Sequence, residues 1–211
     1  MTGLSNADLV YSTMAWATNG VMIKDVARLG YLRQEWHTLD ATPGRLVWWR
    51  CWRPDSLVCR WHNDDAGWDF RAMDYEDQTF DAVVLDPPYV SVGGRTTSGI
   101  NGMHAAYGMD GAPLTPQGVQ DDINAGLEEC WRVVRKGGIV LVKCQSYVSS
   151  GKLWPGLFHT FNHATQSCGF QVVDHLTHVA GPRPQPEGRG PQKHARRNSS
   201  DLLVLRRPKR G

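Results

Sequence analysis

The sequence predicts an α/β fold: a mainly parallel sheet with helices on both faces, closed by a C-terminal antiparallel hairpin. Three observations predict it. FDAVVLD at 80–86 sets Val83, Val84 and Leu85 side by side, as in a strand covered on both faces. Strand-like and helix-like segments alternate along most of the chain. The last two strand candidates, FQVVDHLTHV (170–179) and DLLVLRR (201–207), have no helical segment between them.

The elements follow in order. Apolar positions at helical spacing mark residues 5–17 and 21–30 (Val21, Ile23, Val26, Leu29), with Asn19-Gly20 as a break, so residues 1–34 form an N-terminal helical segment. WHTLDAT (36–42) and LVCRWH (57–62) read as short strands, and a third strand is expected to end at Asp69-Phe70. After FDAVVLD comes a Gly-rich loop over 91–113, long enough to suggest function. Thr115 caps the next helix and Pro116 occupies its first turn. That helix is expected to run to about Arg135, where Lys136-Gly137-Gly138 stops it. IVLVKCQ (139–145) is a buried strand, 153–167 a helix, and 181–200 a Pro/Gly/Arg-rich basic loop.

With 211 residues, 41% hydrophobic and 21% charged, the chain suits a single soluble domain over 1–211 that buries its own core. No run of 18 apolar residues is present, and MTGLSNADLV lacks the pattern of a secretory signal, so neither a membrane span nor a leader is expected. Five cysteines without C-x-x-C spacing argue against a zinc site or disulfide framework and suit a reducing cytoplasm. The net charge of +2 hides an asymmetry. Residues 181–211 hold nine Lys/Arg against Glu187 and Asp201, a net +7. A basic end suggests a polyanionic partner, and a solvated tail is the plainer alternative.

Chemistry concentrates at the expected strand ends. LDATPGR (39–45) sets an acid before a glycine turn, though Leu46 stands where a second glycine would sit, and alone it reads equally well as a structural turn. Asp64, Asp65 and Asp69 follow at successive expected strand ends, and Asp86 opens Asp86-Pro87-Pro88-Tyr89. Two consecutive prolines remove two donors and stiffen the chain where a carboxylate and a ring emerge.

LDATPGR, DFRAMDYEDQTFDAVVLDPPY and CWRVVRKGGIVLVK resemble the S-adenosylmethionine-dependent methyltransferases of the Rossmann-like class, over roughly residues 35–207. DPPY resembles the catalytic motif of amino-methyltransferases acting on nucleobases, above all DNA adenine-N6 and cytosine-N4 enzymes. The compact layout is similar to the solitary methylases of phages and actinobacteria. The resemblance implies a mainly parallel seven-stranded sheet, S-adenosylmethionine as cofactor, no metal, and DNA as partner with RNA as the alternative. It also implies a cytoplasmic setting in a bacterial host or phage-infected cell, with no obligate protein partner. Adenine is favoured over cytosine by the commoner association of DPPY with adenine enzymes. A non-catalytic nucleic-acid-binding or cofactor-sensing module is the competing class.

The same resemblance implies residue roles. Asp86 and the carbonyl of Pro87 would accept the two amino hydrogens, Pro88 would hold that carbonyl rigid, and Tyr89 would stack on an extruded base. Asp40, Thr42 and Gly44 would form the first cofactor turn, Asp64 or Asp65 would bind the ribose, and Asp69 with Phe70 would hold the adenine ring. Arg95, Lys193, His194, Arg196 and Arg197 are the candidate nucleic-acid contacts, with His104 and Tyr107 as further loop candidates. WWRCWRP (48–54), beside Arg45, suits either stacking and phosphate contact or, preferably, a core-packing helix with one basic face.

Overall fold

A computed structural model describes residues 16–61, 64, 67–89, 91, 113, 115–179, 193–195 and 197–209. Its elements are α1 (Asn19–Arg28), β1 (His37–Asp40), β2 (Ser56–Cys59), β3 (Phe80–Leu85), α2 (Pro116–Val133), β4 (Val134–Cys144), β5 (Tyr147–Ser149), β6 (Lys152–Trp154), α3 (Gly156–Asn162), β7 (Gln171–Val179) and β8 (Ser199–Arg206). The main sheet has the order β2-β1-β3-β4-β8-β7. Its first four strands are parallel, β8 runs antiparallel to β4, and β7 runs antiparallel to β8.

Helices cover both faces, as the contiguous apolar strands require. On one face Leu39, Val83, Leu85, Val140 and Val142 pack with Phe70, Ile123 and Leu127 under α2. On the other, Val84, Leu141 and Val204 pack with Met22, Ile23 and Val26 of α1 and with Trp48 and Trp49.

The structure corrects several expectations. Asn19-Gly20 opens α1 instead of breaking the chain, because Thr18 accepts a hydrogen bond from the Val21 amide and caps the helix just before it. Residues 5–15 of the expected first helix lie outside the described residues. The described main sheet has six strands, not seven, and none of the described residues 64 and 67–70, where a third strand is expected to end, is in a strand. Asp69 instead folds its carboxylate back onto the Arg71 amide, at 2.9 Å, which stabilises a turn at the expense of a strand. A separate two-stranded hairpin, β5–β6, takes the start of the expected 153–167 helix. That helix contracts to α3 followed by a wider π turn over His163–Ser167.

Helix α2 begins as expected, with Thr115 accepting from the Gly118 amide. It ends at Val133, earlier than expected, and Lys136-Gly137-Gly138 falls inside β4. There the pairing with β3 shifts register between Phe80 and Ala82. VWWR forms a short 3-10 turn, Val47–Arg50, with both tryptophans turned inward and Arg50 exposed.

Candidate active site

Strand order reverses between β1 and β3, and open α/β sheets bind ligands at the carboxyl ends of the strands flanking such a reversal. Here those ends carry Asp40 and Asp86, 2% and 5% exposed. Asp40 pairs in register with Val84. Asp86 lies two residues beyond Val84, and by strand alternation both acids emerge on the face covered by α1 and the tryptophan turn.

Two adjacent indoles hold these acids. Trp49 donates to Asp40 Oδ2 at 2.6 Å, and Trp48 donates to Asp86 Oδ2 at 2.7 Å. Asp40 Oδ1 accepts from the Thr42 amide at 3.1 Å, and the Thr42 hydroxyl accepts from the Asp86 amide at 2.6 Å. The two strand ends are thus tied together through Thr42. Asp86 Oδ1 is buried and has no hydrogen-bond partner among the described residues.

Burial dominates the electrostatics. It pushes Asp40 up to about 7, against the opposing bonds from Trp49 and Thr42, and the nearby Asp86 charge adds to the rise. Burial also raises Asp86, while the positive charge of Lys143 and the Trp48 bond oppose it.

The first turn has the backbone of a glycine loop without the second glycine. Pro43 accepts from the Leu46 amide at 2.8 Å, and Gly44 and Leu46 have φ of +49° and +56°. Leucine in this left-handed region carries a strain on the order of 1 kcal/mol. The Gly44 carbonyl accepts from the Trp61 indole at 3.0 Å.

Pro87 and Pro88 are buried, and Tyr89 is half-buried against the α2-side core. Burial raises the Tyr89 hydroxyl well above its usual range, and that hydroxyl bonds Ser200 on β8. The Tyr89 hydroxyl is therefore anchored to β8.

The residues expected at the ribose and adenine have partners within the fold. Asp64 pairs with Arg60 at 2.7 Å and accepts from the Trp68 amide. Asp69 pairs with Arg71 at 2.8 Å, and Arg71 reaches on to Asp122 at 2.8 Å. Phe70 is 1% exposed and packs beneath α2 next to Gly126. Asp65, Arg95, His104, Tyr107 and Arg196 lie outside the described residues.

The basic end of the chain is divided. Lys193, His194 and Arg197 precede β8, at the sheet edge where Asp201 pairs with Cys144, beside Asp86. Arg206 pairs with Ile139 at the opposite edge. Arg207 is structural: it donates to the carbonyls of Trp131, Arg132 and Val134 at 2.7, 3.2 and 2.8 Å, closing the end of α2.

Sequence reasoning missed the carboxylate-holding role of Trp48 and Trp49, which no local pattern announces. It also passed over Lys143, although a single charge inside IVLVKCQ was a usable signal, since lysine is almost never fully buried without a partner. Lys143 is 4% exposed and donates to Asn19 Oδ1 at 2.8 Å. Among the described residues, no group of three or more His, Cys, Asp or Glu could hold a metal ion, and no helix is long and apolar enough to cross a membrane.

No protein-family model and no curated protein sequence matches the chain. Solved structures do match in fold. A provisionally named sarcosine dimethylglycine methyltransferase of Galdieria sulphuraria aligns with 90% of this chain and 85% of its own, at 11% identity and a TM-score of 0.50. A protein of Bordetella parapertussis, named provisionally as an exported protein, aligns with 90% of this chain and 67% of its own, at 8% identity and a TM-score of 0.51. A provisionally named DNA modification methylase of Thermus thermophilus aligns at 15% identity and a TM-score of 0.41, over 64% of this chain, which spans about half (49%) of that protein's length. The chain therefore has a mixed α/β fold with a mostly parallel central sheet and an antiparallel C-terminal hairpin, the fold found in Rossmann-like methyltransferases.

Proposed function

We propose that this chain transfers a methyl group from S-adenosylmethionine to the exocyclic amino group of a base in DNA, with adenine N6 favoured over cytosine N4. The observation that carries this reading is the Asp86 carboxylate. It is buried at the switch point of the sheet, one oxygen is held by Trp48, and the other has no partner among the described residues. An orphaned buried acceptor is costly, and an amino hydrogen would satisfy it.

An exocyclic amino nitrogen is a poor nucleophile because its lone pair is delocalised into the ring. Asp86 Oδ1 would accept one amino hydrogen and the Pro87 carbonyl the other, favouring a pyramidal nitrogen. The buried Pro87-Pro88 unit and the Thr42 bond to the Asp86 amide keep this pair rigid, which lowers the reorganisation the reaction requires. S-adenosylmethionine would supply an already activated methyl group.

The residues fit that group at the first turn, where Gly44 takes the left-handed conformation of a tight loop and Asp40 and Thr42 fix the strand end. They fit it less well at Asp64 and Asp69, which the cofactor would have to share with Arg60 and Arg71. Those two ion pairs favour a second reading, a nucleic-acid-binding module without turnover.

The test incubates the purified chain with methyl-labelled S-adenosylmethionine and, separately, duplex DNA and RNA, and identifies the labelled nucleoside by mass spectrometry. Wild type is expected to yield N6-methyladenine in DNA, with Asp86→Ala slower by roughly a hundredfold or more. Label in RNA alone would move the substrate to RNA. Binding with no label in either polymer would leave the second reading standing.

A further inference from the structure

Lys143 is a buried cation that the proposed chemistry does not use. The parallel register of β3 and β4 pairs Val84 with Leu141 and Leu85 with Val142, so the next step sets Asp86 beside Lys143 on neighbouring strands. Both side chains meet the same indole. Trp48 donates to Asp86 Oδ2, and the Lys143 ammonium lies 5.9 Å from the centre of the Trp48 ring. Among the described residues the ammonium makes no ion pair with the carboxylate: Asp86 Oδ1 has no hydrogen-bond partner, and Lys143 Nζ donates to Asn19 Oδ1 in the first turn of α1.

That arrangement separates two requirements. A buried carboxylate needs a nearby positive charge to stay ionised, but a direct ion pair would occupy the oxygen a substrate must reach. Here the charge is close, and Asn19 draws it aside.

We infer that Lys143, tethered by Asn19, is a positioning residue that keeps the Asp86 carboxylate ionised while leaving Oδ1 open to accept a substrate hydrogen. This rests on the proposed methyltransferase reading for its functional meaning, though its electrostatic part stands independently. The titratable groups that act on Asp86 are Asp40 on β1, Tyr89 of its own loop, and Lys143 and Cys144 on β4. His178 on β7 lies beyond Lys143, and Asp201 on β8 lies beyond Tyr89 and Cys144. Of these neighbours only Lys143 supplies a fixed positive charge, so its removal leaves Asp86 among neutral or acidic groups.

The experiment follows the Asp86 carboxyl carbon by NMR in the full chain labelled with 13C-aspartate, assigned by its loss in Asp86→Asn. The proteins compared are wild type, Lys143→Met, Lys143→Arg and Asn19→Ala. The Asp86 titration is expected to move upward by more than one pH unit in Lys143→Met, to stay near wild type in Lys143→Arg, and to move less in Asn19→Ala, which keeps the charge but frees it. The acid limb of the methyl-transfer pH profile should move upward by the same amount, so that Lys143→Met loses roughly tenfold activity at a pH on that limb and recovers above it. An unmoved Asp86 titration in Lys143→Met overturns the inference, and so does a moved titration with an unmoved pH profile. A moved titration in a chain that methylates neither DNA nor RNA would support the electrostatic part while sinking the methyltransferase reading. If Lys143→Met does not fold, the Asn19→Ala titration still decides: no upward shift there counts against the tether.

Discussion

Asp40 shows at the scale of a single residue how the site governs stability. Its folded value of about 7 lies well above the ordinary value of about 3.9 for an unfolded aspartate. Below roughly pH 4 both states hold the proton and folding carries no ionisation cost. Between about 4 and about 7 the unfolded chain releases the proton while the folded chain keeps it, so stability falls as pH rises and levels off above about 7. Urea midpoints of wild type are therefore expected to drop between pH 5.5 and 8, with Asp40 contributing roughly 2 kcal/mol of that drop. Asp40→Asn should remove this contribution, leaving the part that Asp86 adds in the same direction and the opposing part from His178, whose value burial lowers. A variant with an undiminished slope would show that Asp40 ionises normally in the fold. The sequence made the acids visible because carboxylates at strand ends are few. Their indole partners were hidden, because which way two neighbouring tryptophans turn depends on a 3-10 turn packed against α1, a contact between distant segments.

At the scale of elements, β3 and the centre of β4 were legible because buried parallel strands are continuously apolar. The start of β4 was not. Helix α2 stops at Val133 because Arg207, more than seventy residues on, donates to its last carbonyls, and because Val134 pairs with Phe80. Lys136-Gly137-Gly138 then forms the irregular step in β4, and its two glycines serve different needs. Gly137 has φ of +81°, where a Cβ costs about 1 kcal/mol, and its nearest neighbour is the flexible stem of Lys209. A Cβ on Gly138 would sit 2.6 Å from the Asp81 carbonyl oxygen and 2.9 Å from that of Arg135, both backbone atoms that cannot swing away. Gly138→Ala is expected to destabilise by about 1–3 kcal/mol or more, and Gly137→Ala by less. Thermal or urea unfolding of the two variants checks the order, and a Gly138→Ala protein as stable as wild type would mean that β3 and β4 are not this close.

At the scale of the whole molecule, the sequence suggested one basic end, and the sheet separates it into two. Strand β8 runs from the edge beside Asp86 to the opposite edge, and eight residues of strand span roughly 25 Å, more than two screening lengths at physiological salt. Lys193 and Arg197 stand before β8 on the side of the candidate site, whereas Arg206 and Lys209 stand after it on the far side. A charge count along the chain cannot register this, because neighbours in sequence become opposite poles when an eight-residue strand lies between them. If a nucleic acid lies across the crevice, only the first group can neutralise its phosphates. The double substitution of Lys193 and Arg197 by Ala should therefore weaken binding to a duplex oligonucleotide and make the salt dependence shallower by about 1–2 in the slope of log K against log salt. Replacing Arg206 and Lys209 by Ala should leave both quantities close to wild type. Fluorescence anisotropy over a range of salt concentrations measures the slopes directly. Equal losses from the two pairs would place the polyanion along the whole face instead of at the Asp86 edge, and would separate the basic residues from the site they are proposed to serve.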